Sequence, residues 1–199
     1  QDKSILPWYQ TGFRPMSSTI DNILILAYLA NQTRMSNNRP LYCCFVDYSA
    51  AFDQVKRHLL WKKLTRWGIT DKLLAAITSL YSDTWVKVKL DHSHTTRPIP
   101  TNEGLKQGCV LALLLFNLYT ADLGKALEKA GLLAPKIGTV KINLLQYADD
   151  LFIMDCTSVG LQRTLAELNS YNISNDLLVN EEKTKVMIFG NHSNKRTHK

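Results

Sequence analysis

The chain has few cysteines, and their spacing excludes two common kinds of small-protein scaffold. Cys43, Cys44, Cys109 and Cys156 form no Cys-x-x-Cys pair, and the first two are adjacent inside an apolar run. Neither a zinc site nor a disulfide framework is therefore predicted. We expect buried, reduced thiols in an intracellular protein, and the sequence does not distinguish nucleus from cytoplasm.

Long apolar runs, targeting segments and repeats are also missing. The longest apolar run, CVLALLLFNLY, is about half of the roughly 20 residues that a membrane-spanning helix needs. The N-terminal QDKSILPWYQ does not have the architecture of a signal peptide. No membrane partner is expected. The first residue is Gln rather than Met, so we expect a fragment or a processed product.

Acidic residues are in deficit. The chain has 17 Asp and Glu against 24 Lys and Arg, which gives a net charge of +7. Such a balance suits a polyanionic partner such as nucleic acid, although many basic proteins bind none. With 45% hydrophobic residues among 199, the chain can bury a core, and we expect one compact unit.

Helix and strand patterns alternate irregularly along the chain. The patterns predict helices at 17–32, 52–67, 71–81, 110–130 and 161–175, and strands at 41–48, 85–90, 144–147, 151–154 and 185–190. Ser18 and Asp21 have the spacing of a loose capping box at the first helix. This order of elements predicts an α+β fold with an antiparallel sheet.

Two acidic positions interrupt apolar runs. Asp149 and Asp150 lie inside LLQYADDLFIM, and Asp47 ends the predicted strand at 41–48. Buried carboxylates are costly unless they are paired or bind a metal, although a hairpin turn that carries the two aspartates into water is an alternative. If the strands are neighbours, the carboxylates converge on a site that suits Mg²⁺ and two-metal phosphoryl transfer.

The segments FVDYSAAFDQV, GLKQGCVLALLLFNLY, QYADDL and LLVNEEKTKVMIFG occur in this order. They resemble the consecutive core motifs of reverse transcriptases of non-LTR (LINE-type) retrotransposons, and YQTGFRPMSSTIDNI is similar to the segment before them. Four motifs in order are far more specific than one YADD. The resemblance implies a polymerase palm, with an antiparallel sheet flanked by helices, plus partial helical fingers.

The same resemblance implies a division of the chain and a reaction. Residues 1–40 and 54–105 would be fingers or connection, 41–53 and 106–190 palm, and 191–199 a loose basic tail. The implied enzyme is an RNA-directed DNA polymerase, which uses an RNA template and adds deoxynucleoside triphosphates to a DNA primer 3′-hydroxyl. Its cofactor would be two Mg²⁺ ions, with Mn²⁺ as a substitute.

Position by position, the resemblance implies that Asp47 and Asp149 ligate the metals and that Asp150 supports them. The backbone of Val46 and Tyr48 would lie along the second metal and the triphosphate. Without the resemblance, Asp47 could simply end a strand.

Further roles follow from the resemblance, each beside an ordinary alternative. Phe52 would be the steric gate against a 2′-hydroxyl, or a core aromatic. Gln107 and Gly108 would contact template and nucleotide. Lys183 would donate a proton to pyrophosphate, or be a solvated surface lysine. Asp53 is predicted to be a helix N-cap rather than a ligand.

Exposed lysines could add backbone phosphate contacts. In the strand predicted at 85–90, Val86 and Val88 alternate with Lys87 and Lys89, so one side should be basic. These two lysines and Lys106 would suit contacts with nucleic acid phosphates, although most surface lysines contact only water.

The match is incomplete. Ala112 and Leu113 occupy the place of the Ser-Pro that usually starts the family's long helix. Ser is a good N-cap and Pro a good first helical residue, so the sequence lacks the signal that would start this helix at one fixed residue. We also expect the upstream fingers and the thumb to be missing. Two rivals follow: a truncated, catalytically inactive nucleic-acid-binding remnant, and a two-metal nuclease. The oligomeric state is not predicted.

Overall fold

The protein's structure, a computed structural model, describes residues 5–36, 40–89, 94–128, 130 and 133–190. The helices are α1 Thr19–Ser36, α2 Arg57–Arg66, α3 Asp71–Ser79, α4 Val110–Tyr119, α5 Leu123–Glu128 and α6 Ser158–Asn175. The strands are β1 Leu41–Val46, β2 Trp85–Val86, β3 Ile99–Pro100, β4 Lys136–Ile137, β5 Val140–Lys141, β6 Leu144–Tyr147, β7 Asp150–Asp155 and β8 Lys185–Phe189.

Four strands form a central antiparallel sheet in the order β6-β7-β1-β8. β1 and β7 are the inner strands, and both are apolar because helices cover both faces of the sheet. The remaining strands form two short hairpins, β2 with β3 and β4 with β5. The predicted α+β fold with an antiparallel sheet flanked by helices is confirmed.

The sheet separates two apolar cores. On one face, the side chains of α2, α4, α5 and α6 pack against Cys44, Val46 and Ile153. On the other face, α1 covers Cys43 and Met154. All four cysteines have free thiols, and Cys43 and Cys44 are buried as predicted. Burial raises the pKa of the Cys43 thiol to about 12, so this residue is a packing element rather than a nucleophile.

The start of α1 matches its sequence signal. The backbone N–H of Ser18 donates to Asp21 Oδ2 at 2.7 Å, which is half of the predicted capping box. α1 then runs to Ser36 and packs on the sheet through its inner side. Its position fixes the segment before it, which contacts the acidic turn described below.

The helix predicted at 52–67 begins five residues late, at Arg57. The carbonyls of Phe52 and Val55 accept hydrogen bonds from the backbone N–H groups of Leu105 (2.8 Å) and Gly104 (2.8 Å). Those carbonyls are therefore tied to a distant loop and cannot build the first helical turn. The interpretation of Asp53 as N-cap is wrong, since Lys56 occupies that position without a side-chain bond.

The long helix predicted at 110–130 is broken in two. α4 ends at Tyr119 and α5 begins at Leu123. The Tyr119 carbonyl accepts from Lys63 Nζ at 2.6 Å, so a side chain replaces the helical donor there. The stretch Val110–Glu128 is long and apolar enough to cross a membrane by composition, but most of it is buried within the fold.

Two further expectations need correction. The strand predicted at 85–90 pairs regularly only at Trp85 and Val86, with an isolated bridge from Lys89 to Thr95. Val86 and Val88 are both exposed, so the described part of this ribbon has no buried side, and Leu90 lies outside the described residues. The β4–β5 hairpin was not predicted. The tail at 191–199 lies outside the described residues.

Candidate active site

The strand register brings the acidic positions together. β1 and β7 are adjacent and antiparallel, with Val46 opposite Leu151. One further step in this register places Asp47, at the end of β1, beside Asp150. Asp149 lies in the turn between β6 and β7, whose last pair is Tyr147 with Asp150. The three aspartates therefore lie together at one end of the sheet, where β1 ends and β7 begins.

The charges of this cluster oppose one another. Although Asp150 is more than a third exposed, partial burial raises the pKa of its carboxyl, and the charges of Asp149 and Asp47 raise it further. Lys183 Nζ lies 3.9 Å from Asp47 Oδ2, so this cation faces the cluster. Ionised Asp150 is therefore held at a cost, which a bound divalent cation would relieve.

The donor set suits a metal that is only partly held by protein. Over the part of the chain that the structure describes, no three His, Cys, Asp or Glu side chains form a group that could hold a metal ion. Mg²⁺ commonly binds through one or two carboxylates and completes its shell with water and substrate phosphates. Asp47 and Asp149 fit that smaller set, with Asp150 beside them. Their roles as ligands stay predictions.

A loop before β8 fixes Asp47 relative to Lys183. The backbone N–H of Asn180 donates to the Asp47 carbonyl at 2.8 Å. The Asp47 N–H donates to Thr184 Oγ1 at 3.3 Å, and the Lys183 N–H donates to Asn180 Oδ1 at 3.2 Å. These backbone hydrogen bonds hold the main chain of Lys183 close to that of Asp47. The two side chains can therefore approach each other without a large rearrangement of the loop.

Gln10 supports the acidic turn, a role that our reading of the sequence missed. This buried side chain donates from Nε2 to the Ala148 carbonyl at 3.2 Å. Its Oε1 accepts from the Ala148 N–H at 3.0 Å and from the Gly12 N–H at 2.9 Å. Because Ala148 has a φ of 55° and precedes Asp149, Gln10 stabilises an unusual backbone where the ligand position is set. The Gln-Thr-Gly of YQTGF was the available signal.

The side chain of Phe52 is part of the core. Its ring stacks on Phe116 with centroids 4.7 Å apart and an interplanar angle of 26°. The ring is half-buried and packs against the main core. This position agrees with the alternative that Phe52 is a core aromatic. Its role as a gate against ribonucleotides stays a prediction.

Gln107 lies beside Asp53 on the surface. Its Nε2 lies 3.0 Å from each carboxylate oxygen of Asp53, so the amide is oriented by a charge. Gly108 has a φ of 80° with open space around the position of a Cβ. The glycine is therefore needed for its backbone conformation, and the contacts of Gln107 and Gly108 with template and nucleotide stay predictions.

Arg57 anchors the loop that leads to Gln107. Its guanidinium donates to the carbonyls of Gly104 (2.9 Å), Thr101 (2.8 Å) and Glu103 (2.9 Å). The loop would otherwise leave these carbonyls partly desolvated without partners. The same buried cation thus fixes the loop and the start of α2.

Val46 and Tyr48 flank Asp47 and are buried. The Tyr48 hydroxyl donates to Asn172 Oδ1 at 2.8 Å, and burial raises the pKa of this phenol well above its usual value. The Tyr48 backbone also pairs with Val179. The two side chains hold the end of β1 in the core, and the predicted backbone contacts with a triphosphate stay untested.

The start of α4 differs from the family pattern. The helix begins at Val110, with Cys109 as an N-cap that makes no side-chain bond. Ala112 and Leu113 therefore lie inside the first helical turn, two and three residues beyond the start. The helix thus starts at the first residue of the predicted range 110–130, without the Ser-Pro start signal of the family. Lys87, Lys89 and Lys106 are exposed, and their predicted phosphate contacts are untested.

A helix-backed antiparallel sheet with clustered aspartates at the ends of adjacent inner strands defines the palm of a nucleic acid polymerase. The comparison with known families agrees with this class. Residues 2–198 match the family described as reverse transcriptase (RNA-dependent DNA polymerase), and the chain belongs to it.

Its relatives are retrotransposon proteins. The chain is 28% identical over 176 residues to the Pol polyprotein of the type-1 retrotransposable element R2 of Popillia japonica, covering 88% of this chain and 24% of the relative. It is 29% identical over 193 residues to a probable RNA-directed DNA polymerase from transposon BS of Drosophila melanogaster, covering 92% of this chain and 20% of the relative. The resemblance to non-LTR elements is confirmed. The chain spans a quarter or less of these relatives.

Solved structures show the same fold. Apo telomerase from Candida tropicalis, truncated from its C-terminal domain, aligns with a TM-score of 0.63 at 18% identity, covering 89% of this chain and 36% of that one. Telomerase of the same organism with a fragment of telomeric RNA aligns with a TM-score of 0.62 at 16% identity, covering 84% and 29%. The palm fold is therefore confirmed by structure as well as by sequence.

Proposed function

We propose that this chain carries the catalytic centre of an RNA-directed DNA polymerase, which adds deoxynucleotides to a primer 3′-hydroxyl on an RNA template. The observation that carries the proposal is the register of β1 and β7. It places Asp47 beside Asp150, with Asp149 in the adjoining turn.

Asp47 and Asp149 would hold Mg²⁺, or Mn²⁺ in its place, with Asp150 in support. When bound, the metal ions would activate the primer hydroxyl and stabilise the leaving pyrophosphate. The mutual repulsion of the three carboxylates favours such a cation, and their partial exposure leaves room for water and substrate phosphates. The backbone at Val46 and Tyr48 would lie beside the triphosphate.

Lys183 would protonate the leaving pyrophosphate. A general acid must reach the group that it protonates, and Lys183 Nζ is exposed and lies at the carboxylate cluster. The 180–184 loop orients its backbone towards Asp47. Without substrate, the lysine partly balances the charge of Asp47, so the same cation has a role in both states.

The remaining residues would recognise the substrates. Phe52 would lie under the incoming sugar, supported from behind by Phe116, and its ring would exclude a 2′-hydroxyl. Gln107 and Gly108 would contact template and nucleotide. Residues 41–53 and 106–190 would then be the palm, and 1–40 and 54–105 fingers or connection. RNA as template agrees with the family, and one structural neighbour is a telomerase that holds a telomeric RNA fragment.

Primer extension tests the function. In a longer version of the protein that contains residues 1–199 and flanking segments, Asp149→Asn should slow RNA-templated extension about a thousandfold, because several kcal/mol of metal-dependent stabilisation is lost. Glu167→Gln removes one exposed charge from α6 and should leave the rate unchanged. Equal rates for Asp149→Asn and the parent would contradict the proposal.

A further inference from the structure

A basic groove lies between α2, α5 and α6 and shares no lining residue with the candidate active site. It holds about 330 Å³ and adjoins a second depression of about 230 Å³. The two depressions have Lys63, Arg66 and Asp122 in common, so they form one surface, here called the α2–α6 groove. Its lining is Leu59, Lys62, Lys63, Arg66, Trp67, Asp122, Lys125, Ala126, Tyr171, Ser174 and Asn175.

Among the described residues, three exposed cations of this groove are without an acidic partner. In the described ranges, no Asp or Glu lies within ion-pair distance of Lys62, Arg66 or Lys125. Asp122, the groove's acidic residue, is already bound by Lys63 Nζ at 2.7 Å and by the Tyr171 hydroxyl at 2.7 Å. The groove therefore presents a net positive charge to solvent.

The sequence of α2 concentrates this charge at some cost to the helix. RHLLWKKLTR contains four Arg and Lys and no acidic residue. Lys62 and Arg66 are one turn apart, a spacing at which like charges destabilise a helix. A solvated helix face would ordinarily mix charges of both signs. The arrangement favours an anionic ligand that would offset the repulsion.

An aromatic ring closes one side of the groove. Trp67 is half-buried, and its Nε1 donates to the Leu118 carbonyl at 3.3 Å, which fixes the plane of the indole. Lys125 Nζ lies 5.8 Å from the ring centroid. A fixed ring beside cations is the combination that binds single-stranded nucleic acid, since cations contact phosphates and a ring packs against sugar or base.

We propose that the α2–α6 groove binds the sugar–phosphate backbone of single-stranded RNA at a surface separate from the active site. Lys62, Arg66 and Lys125 would each contact a phosphate, and Trp67 would pack against a ribose or base. The proposal goes beyond the polymerase reaction, because it requires neither metal nor nucleotide. Such a site would retain an RNA strand while another segment occupies the catalytic face.

Salt-dependent binding tests the groove. Fluorescence anisotropy of residues 1–199 with a labelled oligouridine, without Mg²⁺ or nucleotides, gives Kd as a function of KCl concentration. The triple variant Lys62→Gln, Arg66→Gln and Lys125→Gln should bind at least about tenfold more weakly. Its slope of log affinity against log salt should fall by about 2, because each single-strand phosphate contact contributes about 0.7.

A matched triple variant controls for net charge. Lys136→Gln, Lys141→Gln and Arg163→Gln remove three exposed cations from β4, β5 and α6. This variant should lose much less affinity and little slope, and the thermal midpoints of both triples should stay near the parent's. Equal losses in the two triples, or unchanged binding in the groove triple, would overturn the proposal. A competition experiment with polyglutamate provides a second test. If polyglutamate displaces the labelled RNA as well as unlabelled RNA does at the same concentration of negative charge, the proposal is overturned, because the groove would then bind an acidic polypeptide equally well.

Discussion

Replacement of Gly12 by Ala should lower the free energy of unfolding by about 3 kcal/mol, the upper part of the range for overpacking. A Cβ at this position would lie 2.3 Å from the backbone nitrogen of Ala148 and 3.0 Å from its Cα. Neither backbone can move easily, because Gln10 binds both segments and Asn117 Nδ2 donates to the Gly12 carbonyl at 2.7 Å. Circular dichroism should show a fall in Tm of about 6 to 12 °C.

The control for this variant is a glycine without neighbours. Gly138 has a φ of 59° and open space where a Cβ would point. Gly138→Ala should cost only the left-handed backbone conformation, about 1 kcal/mol. If Gly12→Ala is no less stable than Gly138→Ala, the contact between the N-terminal segment and the acidic turn is not as the structure places it.

Lys63→Ala should destabilise the protein by about 3 kcal/mol, as expected when one partner of a buried ion pair is removed. Lys63 Nζ donates to Asp122 Oδ1, to the Tyr119 carbonyl and to the Tyr171 hydroxyl at 2.7, 2.6 and 3.0 Å. Burial lowers the pKa of this ammonium group, which shows that the environment is costly for a charge without its partners. Thermal unfolding measures the loss.

The neighbouring lysine provides a control for Lys63→Ala. Lys62→Ala removes an exposed cation from the same helix and should change stability by less than about 0.5 kcal/mol. The double variant Lys63→Ala with Asp122→Ala should be more stable than the sum of the single effects predicts, because the two charges interact directly. Strict additivity would show that the contact contributes nothing.

The sequence was sufficient to predict the sheet and the position of the acidic turn. LYCCFV and LLQYADDLFIM are short apolar runs whose lengths suit inner strands, and two adjacent aspartates between them suit a hairpin turn. The local pattern of apolar and polar residues was therefore enough to predict these strands and the turn. The resemblance to reverse transcriptases then supplied what a pattern cannot, which is that β1 lies next to β7.

The elements that were placed wrongly depend on contacts between distant segments. The late start of α2 follows from carbonyls of Phe52 and Val55 that bond to the loop at 104–105. The break between α4 and α5 follows from Lys63, which is more than fifty positions away along the chain. No local propensity contains such information, because tertiary hydrogen bonds override it.

Parts of the candidate site were equally hidden. Gln10 is a polar residue in a segment with no helix or strand pattern, yet it is buried, and both ends of its side-chain amide bond to the backbone of Ala148. Its role depends on a long-range contact with the acidic turn. The strand register places Asp47 beside Asp150, with Asp149 in the adjoining turn, while the roles of Asp47 and Asp149 as metal ligands stay a proposal.

Manganese binding tests the central claim, that Asp47 and Asp149 form a divalent cation site. Electron paramagnetic resonance of Mn²⁺ titrated into residues 1–199 should show a bound fraction. Both Asp47→Asn and Asp149→Asn should weaken that binding at least about tenfold, since each removes one of two carboxylate ligands. Glu167→Gln, with the same loss of charge on α6, should bind Mn²⁺ as the parent does. Equal binding by the parent and by both aspartate variants would contradict the account.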